Sequence, residues 1–278
     1  MIELIQTEVY KLFCSFRTYA TFGIAIILMA MINIGLYMDG ESILLFILEP
    51  LKDYFIIDGN VLNGYLIGYF SLNTLWVHIP VLVIIVSTYI FSSEFEYGTI
   101  KVLLSQPISR TALILSKWLT MFLYIIIFMI IVAIFALVPS VWLFGTGDVM
   151  VLSDGLQFIL EGSFIKRYVA AIIFAVVAMM AFSSLAMFLA VWFKNTLTAI
   201  LVAFGILIFH TLIQSFVLGL SSLWQNMLFT FHMAMWQQFF VTDVPMVLIM
   251  KSFGFLLAMI ILFTMLTVYR FNSINISE

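Results

Sequence analysis

The chain runs to 278 residues, of which 65% are hydrophobic and 9% charged, with a net charge of −3. Soluble domains carry roughly 25% charged residues, so a water-soluble fold of this length is excluded for want of polar surface. The few basic residues are dispersed, which argues against a nucleic-acid face, and the single Cys14 excludes an intrachain disulfide framework.

The N-terminal "MIELIQTEVYKLF" has acids where a secretory leader would start basic, so the first apolar span is read as retained. Ile2, Ile5, Val9, Leu12 and Phe16 recur at helical spacing, with Glu3, Gln6, Thr7 and Lys11 opposite them. That pattern fits an amphipathic helix along the inner membrane interface. It fits a cytoplasmic extension of the first span equally well.

A spanning helix needs about 20 mainly apolar residues to cross about 30 Å of hydrocarbon. Six windows qualify, 20–38, 64–91, 118–144, 168–191, 196–219 and 245–269, and they predict a single all-α integral membrane domain over residues 1–278. With both termini cytoplasmic, Lys11, Arg17, Lys101, Arg110, Lys117, Lys194 and Arg270 lie inside, against Lys52, Lys166, Arg167 and Lys251 outside. This bias favours termini inside and the loop 39–63 outside. Between the fifth and sixth windows, "SSLWQNMLFTFHMAMWQQFFVTDVP" is too polar for a span and too apolar for a free loop. A helical segment dipping into the outer leaflet is expected there.

Some chemistry is missing. No GxxxxGK[ST] occurs, so the chain has no P-loop for nucleotide phosphates. No Asp or Glu falls inside the six windows, which speaks against an ion-coupled carrier. His78 and His210 are open to three readings: haem ligands, substrate contacts or interhelical hydrogen-bond donors. Their positions along oppositely running helices put them roughly 12 Å apart in depth, a poor match to two axial ligands of one haem. Pro80 is expected to kink the second span and open a cavity beside Asn73 and His78.

The polar chemistry concentrates in "SSEFEYGTIKVLLSQPISRTALILSK", residues 92–117. Gly98 can break the preceding helix, and Thr99 can cap a new one of about seven residues. Pro107 limits that helix. Ser109 can cap the next helix, with Lys117 snorkelling at the interface. The plain alternative is a polar turn whose charges only set topology.

This stretch resembles the cytoplasmic segment of ABC-2 type permeases, the membrane subunits of a class of ATP-binding-cassette exporters. The matching residues are Glu94, Glu96, Gly98, Thr99, Leu103, Leu104, Pro107, Ser109, Arg110 and Lys117. The resemblance implies that 98–107, with Lys101, forms a coupling helix seated in a separate ATPase. In such exporters two ATPase copies work with two permease chains, identical or related. No cofactor is implied in this chain, since ATP and Mg bind the partner. The implied setting is a bacterial or archaeal cytoplasmic membrane, and the implied pathway lies at the permease dimer interface along spans two and five. An apolar, aromatic-rich path mildly favours an amphipathic peptide or lipid-like substrate. The competing reading is an ATP-independent secondary carrier or channel, and a haem-bearing membrane anchor is a third.

Overall fold

The structure, a computed structural model, describes residues 2–48, 61–153, 155–216 and 227–274. Residues 49–60 of the expected outer loop, 217–219 of the fifth window and 221–226 of the outer polar segment lie outside the described residues.

Helix α1 (Ile2–Phe13) turns at Cys14 and Ser15 into α2 (Phe16–Leu48). At 33 residues, α2 is about 50 Å long and overreaches a hydrocarbon core of about 30 Å. The second expected window is two helices, α3 (Gly64–Leu75) and α4 (His78–Glu96). Pro80 explains the break, because it has no N–H for the Trp76 carbonyl and its ring crowds that group. The Trp76 amide turns instead to the Asn73 carbonyl at 3.2 Å. Asn63 starts α3 by accepting the amides of Tyr65 and Leu66, both at 3.1 Å.

After a short helix α5 (Ile100–Leu104) come α6 (Arg110–Phe144), strands β1 (Val149–Ser153) and β2 (Gly155–Ile159), α7 (Glu161–Phe193) and α8 (Thr196–Phe216). The chain continues through α9 (Phe229–Met233), a 3-10 helix (Ala234–Phe240) and α10 (Met246–Asn272). Among the described residues six helices are long and apolar enough to cross a membrane: Phe16–Gly40 within α2, then α4, α6 and α7, Thr196–Ser215 within α8, and α10. The chain is a multi-pass membrane protein.

Helix α7 is the axis of the bundle, packed against α10, α4, α8 and α6. Its fully buried Ala171, Ala178, Ala181, Ala186 and Ala190 let neighbouring backbones approach closely, which lipid-exposed interfaces need because apolar side chains gain nothing by leaving lipid. Gly64 and Gly68 serve the same end between α3 and α6. A Cβ at Gly64 would sit 2.4 Å from the Val141 Cα, and one at Gly68 would sit 3.1 Å from Leu137 Cδ1. Three pairs of polar side chains link helices inside the bundle: Thr21 with Tyr124 at 2.9 Å, Asn33 with Ser140 at 2.6 Å and Ser87 with Ser183 at 3.1 Å.

The β-hairpin was not expected from the loop between the third and fourth windows. Its antiparallel register pairs Val149 with Ile159 and Val151 with Gln157. Val149, Val151 and Ile159 are buried while Phe158 is exposed, so the alternation of a half-buried strand decides its faces. On the same side of the bundle, the segment from α9 through the 3-10 helix folds back onto the broken span. Trp236 is buried with its ring 5.1 Å from Trp76, and Gln237 Nε2 donates to Asn73 Oδ1 at 2.6 Å. Arg167 at the start of α7 donates to the carbonyls of Phe239, Val241 and Thr242, satisfying the end of the 3-10 helix.

Candidate functional site

The other end of the bundle gathers the start of α2, the end of α4, α5, the start of α6, the α7–α8 turn and the end of α10. The α4–α5 junction is made by Tyr97 and by Gly98 at φ 69°. That conformation is open to glycine and strained for other residues. Helix α5 has five residues, shorter than the expected seven. Thr99 stands at its cap position but its hydroxyl makes no cap bond, because its backbone is already αR. Ser109 does cap α6, accepting the Ala112 amide at 3.2 Å.

Helix α5 turns its leucines inward. Ile100, Leu103 and Leu104 are half-buried against the core, together with Phe95. Lys101, Ser105, Gln106 and Pro107 are exposed, and Val102 and Tyr97 stand 67% and 64% exposed. The outward apolar residues of this segment are therefore Val102 and Tyr97.

The three charged residues that flank α5 hold the bundle together. Glu96 Oε1 accepts the Thr196 amide at 2.6 Å, closing the first turn of α8, where free N–H groups favour an anion. Beside it, the Ser92 and Thr196 hydroxyls lie 2.6 Å apart. Arg110 donates to the carbonyls of Phe271, Asn272 and Ile274 at 3.2, 2.9 and 3.0 Å. It thereby closes the last turn of α10.

Glu94 is buried in an ion cluster with Lys117, Glu8 and Lys11. Lys117 Nζ lies 2.5 Å from Glu94 Oε1 and 2.8 Å from Glu8 Oε2, and it donates to the Ile90 carbonyl at 2.8 Å. Lys11 Nζ is 2.8 Å from Glu8 Oε1 and 3.3 Å from Glu94 Oε1. Lys117 is 3% exposed, so the expected snorkelling to the interface does not occur. The acids of α1 and α4 cover the ammonium before it reaches solvent.

Burial pushes the Glu8 carboxyl up. The Lys117 charge and hydrogen bonds from Lys11 and Lys117 outweigh it and hold Glu8 below the ordinary carboxylate range. Burial likewise pulls the Lys11 ammonium down, while the Glu8 hydrogen bond and the charges of Glu8 and Glu94 leave it raised overall. Two acids and two bases make a neutral set, the condition for keeping charges inside.

Glu8 was missed at the sequence level, yet it carries a signal. It falls within the helical stripe of Ile5 and Leu12, an acid on the apolar side of α1. Asn73 donates to Tyr69 O at 3.3 Å in addition to accepting from Gln237. His78 is exposed at the first residue of α4. His210 lies half-buried on α8 beside Phe209, and its Nδ1 has no partner among the described residues. No group of three His, Cys, Asp or Glu among the described residues is placed to hold a metal ion.

The class is thus a multi-pass membrane protein whose charged residues at one end staple helix termini together around a short helix. Residues 29–274 match the family described as ABC-2 family transporter protein, and the chain belongs to it. It is similar to the uncharacterized protein YhcI of Bacillus subtilis (strain 168), with 25% identity over 140 residues. That match spans 48% of this chain and 44% of YhcI, so the chain covers less than half the length of the curated relative it matches.

Proposed function

We propose that this chain is the permease subunit of an exporter driven by a separate ATPase, with Tyr97–Pro107 as the docking element. ATP and Mg are bound by the ATPase, present in two copies against two permease chains. The substrate pathway lies between the permeases, and its cargo is an amphipathic peptide or lipid-like molecule. Both termini and α5 face the cytoplasm of a bacterial or archaeal cell. The observation that carries this reading is α5 itself. It is a short helix presented outward through Val102 and Lys101, with Tyr97 exposed just ahead of it, while Glu96 and Arg110 on its two flanks grip α8 and α10. A push on such an element reaches several spanning helices at once.

Affinity purification of the full chain from its native membrane tests this. An ATPase subunit should copurify in equal amount, and cysteines at Ser105 and Leu160 in a Cys14→Ser background should label from opposite sides. Uphill transport by the chain alone in liposomes, or labelling of both sites from one side, would refute the reading.

A further inference from the structure

We infer that α1 is a working part of the coupling apparatus, held there by positioning residues Glu8 and Lys117, and not merely a membrane anchor. The inference rests on the reading of α5 as the ATPase-docking helix. Helix α5 joins α4 through Gly98, whose left-handed backbone has open space around it. A thrust on α5 absorbed by rotation at Gly98 would never reach the spans. Transmission needs the last turn of α4 to be fixed to its neighbours.

Lys117 provides that fixture. An ammonium has three donors, and here one goes to Glu8 of α1, one to Glu94 of α4 and one to the Ile90 carbonyl of α4. Lys11 adds a second link from α1 to Glu94, at 3.3 Å. Glu94 lies one turn before Gly98, so the bridge begins where the hinge ends.

The coupling is three-sided because the charges are buried. Glu8, Glu94 and Lys117 are each 5% exposed or less. Withdrawing α1 alone removes Glu8 and Lys11 together, and leaves Lys117 and Glu94 in a site opened on one side. Withdrawing α4 removes Glu94 and leaves two lysines to share the single carboxylate of Glu8. A buried ammonium with a donor left unfilled, or a buried charge left uncompensated, is unfavourable, so α1, the end of α4 and the start of α6 shift together. Elsewhere α1 presents Ile2 and Tyr10 outward, as an interfacial helix does. Glu8 and Leu12 are the residues it buries.

The test compares native, Glu8→Gln and Lys117→Arg chains, each purified full-length with its ATPase in lipid nanodiscs. The readouts are subunit stoichiometry, melting temperature and the permease-dependent part of ATP hydrolysis, taken as the difference between complex and free ATPase. Glu8→Gln keeps the Lys117–Glu94 pair and should still bind the ATPase in native ratio, while the permease-dependent hydrolysis falls about fivefold or more. Lys117→Arg, which keeps the charge and adds donors, should retain most of it.

Native coupling in a correctly inserted Glu8→Gln complex overturns the inference. So does a loss of coupling that only tracks loss of bound ATPase, since that is a structural role. A native chain that captures no ATPase would instead refute the docking reading itself, and this inference with it.

Discussion

The Glu96 carboxylate and the Thr196 amide meet at 2.6 Å, although 100 residues separate them in the chain. An acid at the end of the second span therefore caps the fifth, two residues before Gly98. Cap residues contribute roughly 1 kcal/mol when their acceptor is removed. Glu96→Ala is expected to lower the stability of the purified chain by about that amount, and Glu96→Gln by less, because its amide oxygen still accepts. Thermal melts of the two variants in one detergent check the order.

Val102 and Leu103 separate docking from folding. Val102 is 67% exposed, whereas Leu103 packs against the core. Val102→Asp should insert and melt like the native chain and lose copurifying ATPase, because a carboxylate in an apolar groove must be desolvated. Leu103→Asp should lower the melting temperature. A pull-down with parallel melts decides, and equal ATPase capture by Val102→Asp would place the docking face elsewhere.

The ion cluster predicts an acid limit. The Glu8 carboxyl is held below its ordinary value of 4.5, so its ionised form favours the docked α1. Its contribution is present above pH 4.5 and is lost as pH falls through the lowered docked-state value. Lys117, Lys11 and Glu94 are the charged groups facing it. The difference in melting temperature between the native chain and Glu8→Gln should be steady near neutral pH and shrink below pH 4.5. A difference that grew in acid would reverse the assigned sign.

Gly64 tests how α3 sits on α6. Its Cβ would fall 2.4 Å from the Val141 Cα, a backbone atom that cannot swing aside, whereas at Gly68 the nearest atom is a leucine methyl at 3.1 Å. Gly64→Ala should destabilise the chain by about 1–3 kcal/mol, and Gly68→Ala by less. Melting curves of both variants measure this directly.

The full break of the second window into two helices was not legible in the sequence, whereas the number of spans, a distortion at Pro80, the glycine turn at Gly98 and the cap at Ser109 were. Each follows from local physics: the length of apolar runs, a missing N–H, a permissive φ and a hydroxyl placed before a helix. The hairpin was legible in principle, since "VMVLSDGLQFI" sets two short apolar runs on either side of Ser-Asp-Gly, but surrounding apolar runs masked it. Only the tertiary structure decided what the charges do. Lys117 would snorkel if α6 stood alone, and it is buried because Glu8 and Glu94 arrive from 109 and 23 residues away. Leu103 and Leu104 look like an outward apolar pair on a five-residue helix, yet the neighbouring bundle rotates them in and leaves Val102 out. Periodicity specifies which residues share a face, whereas the packing of distant helices selects the direction in which that face points.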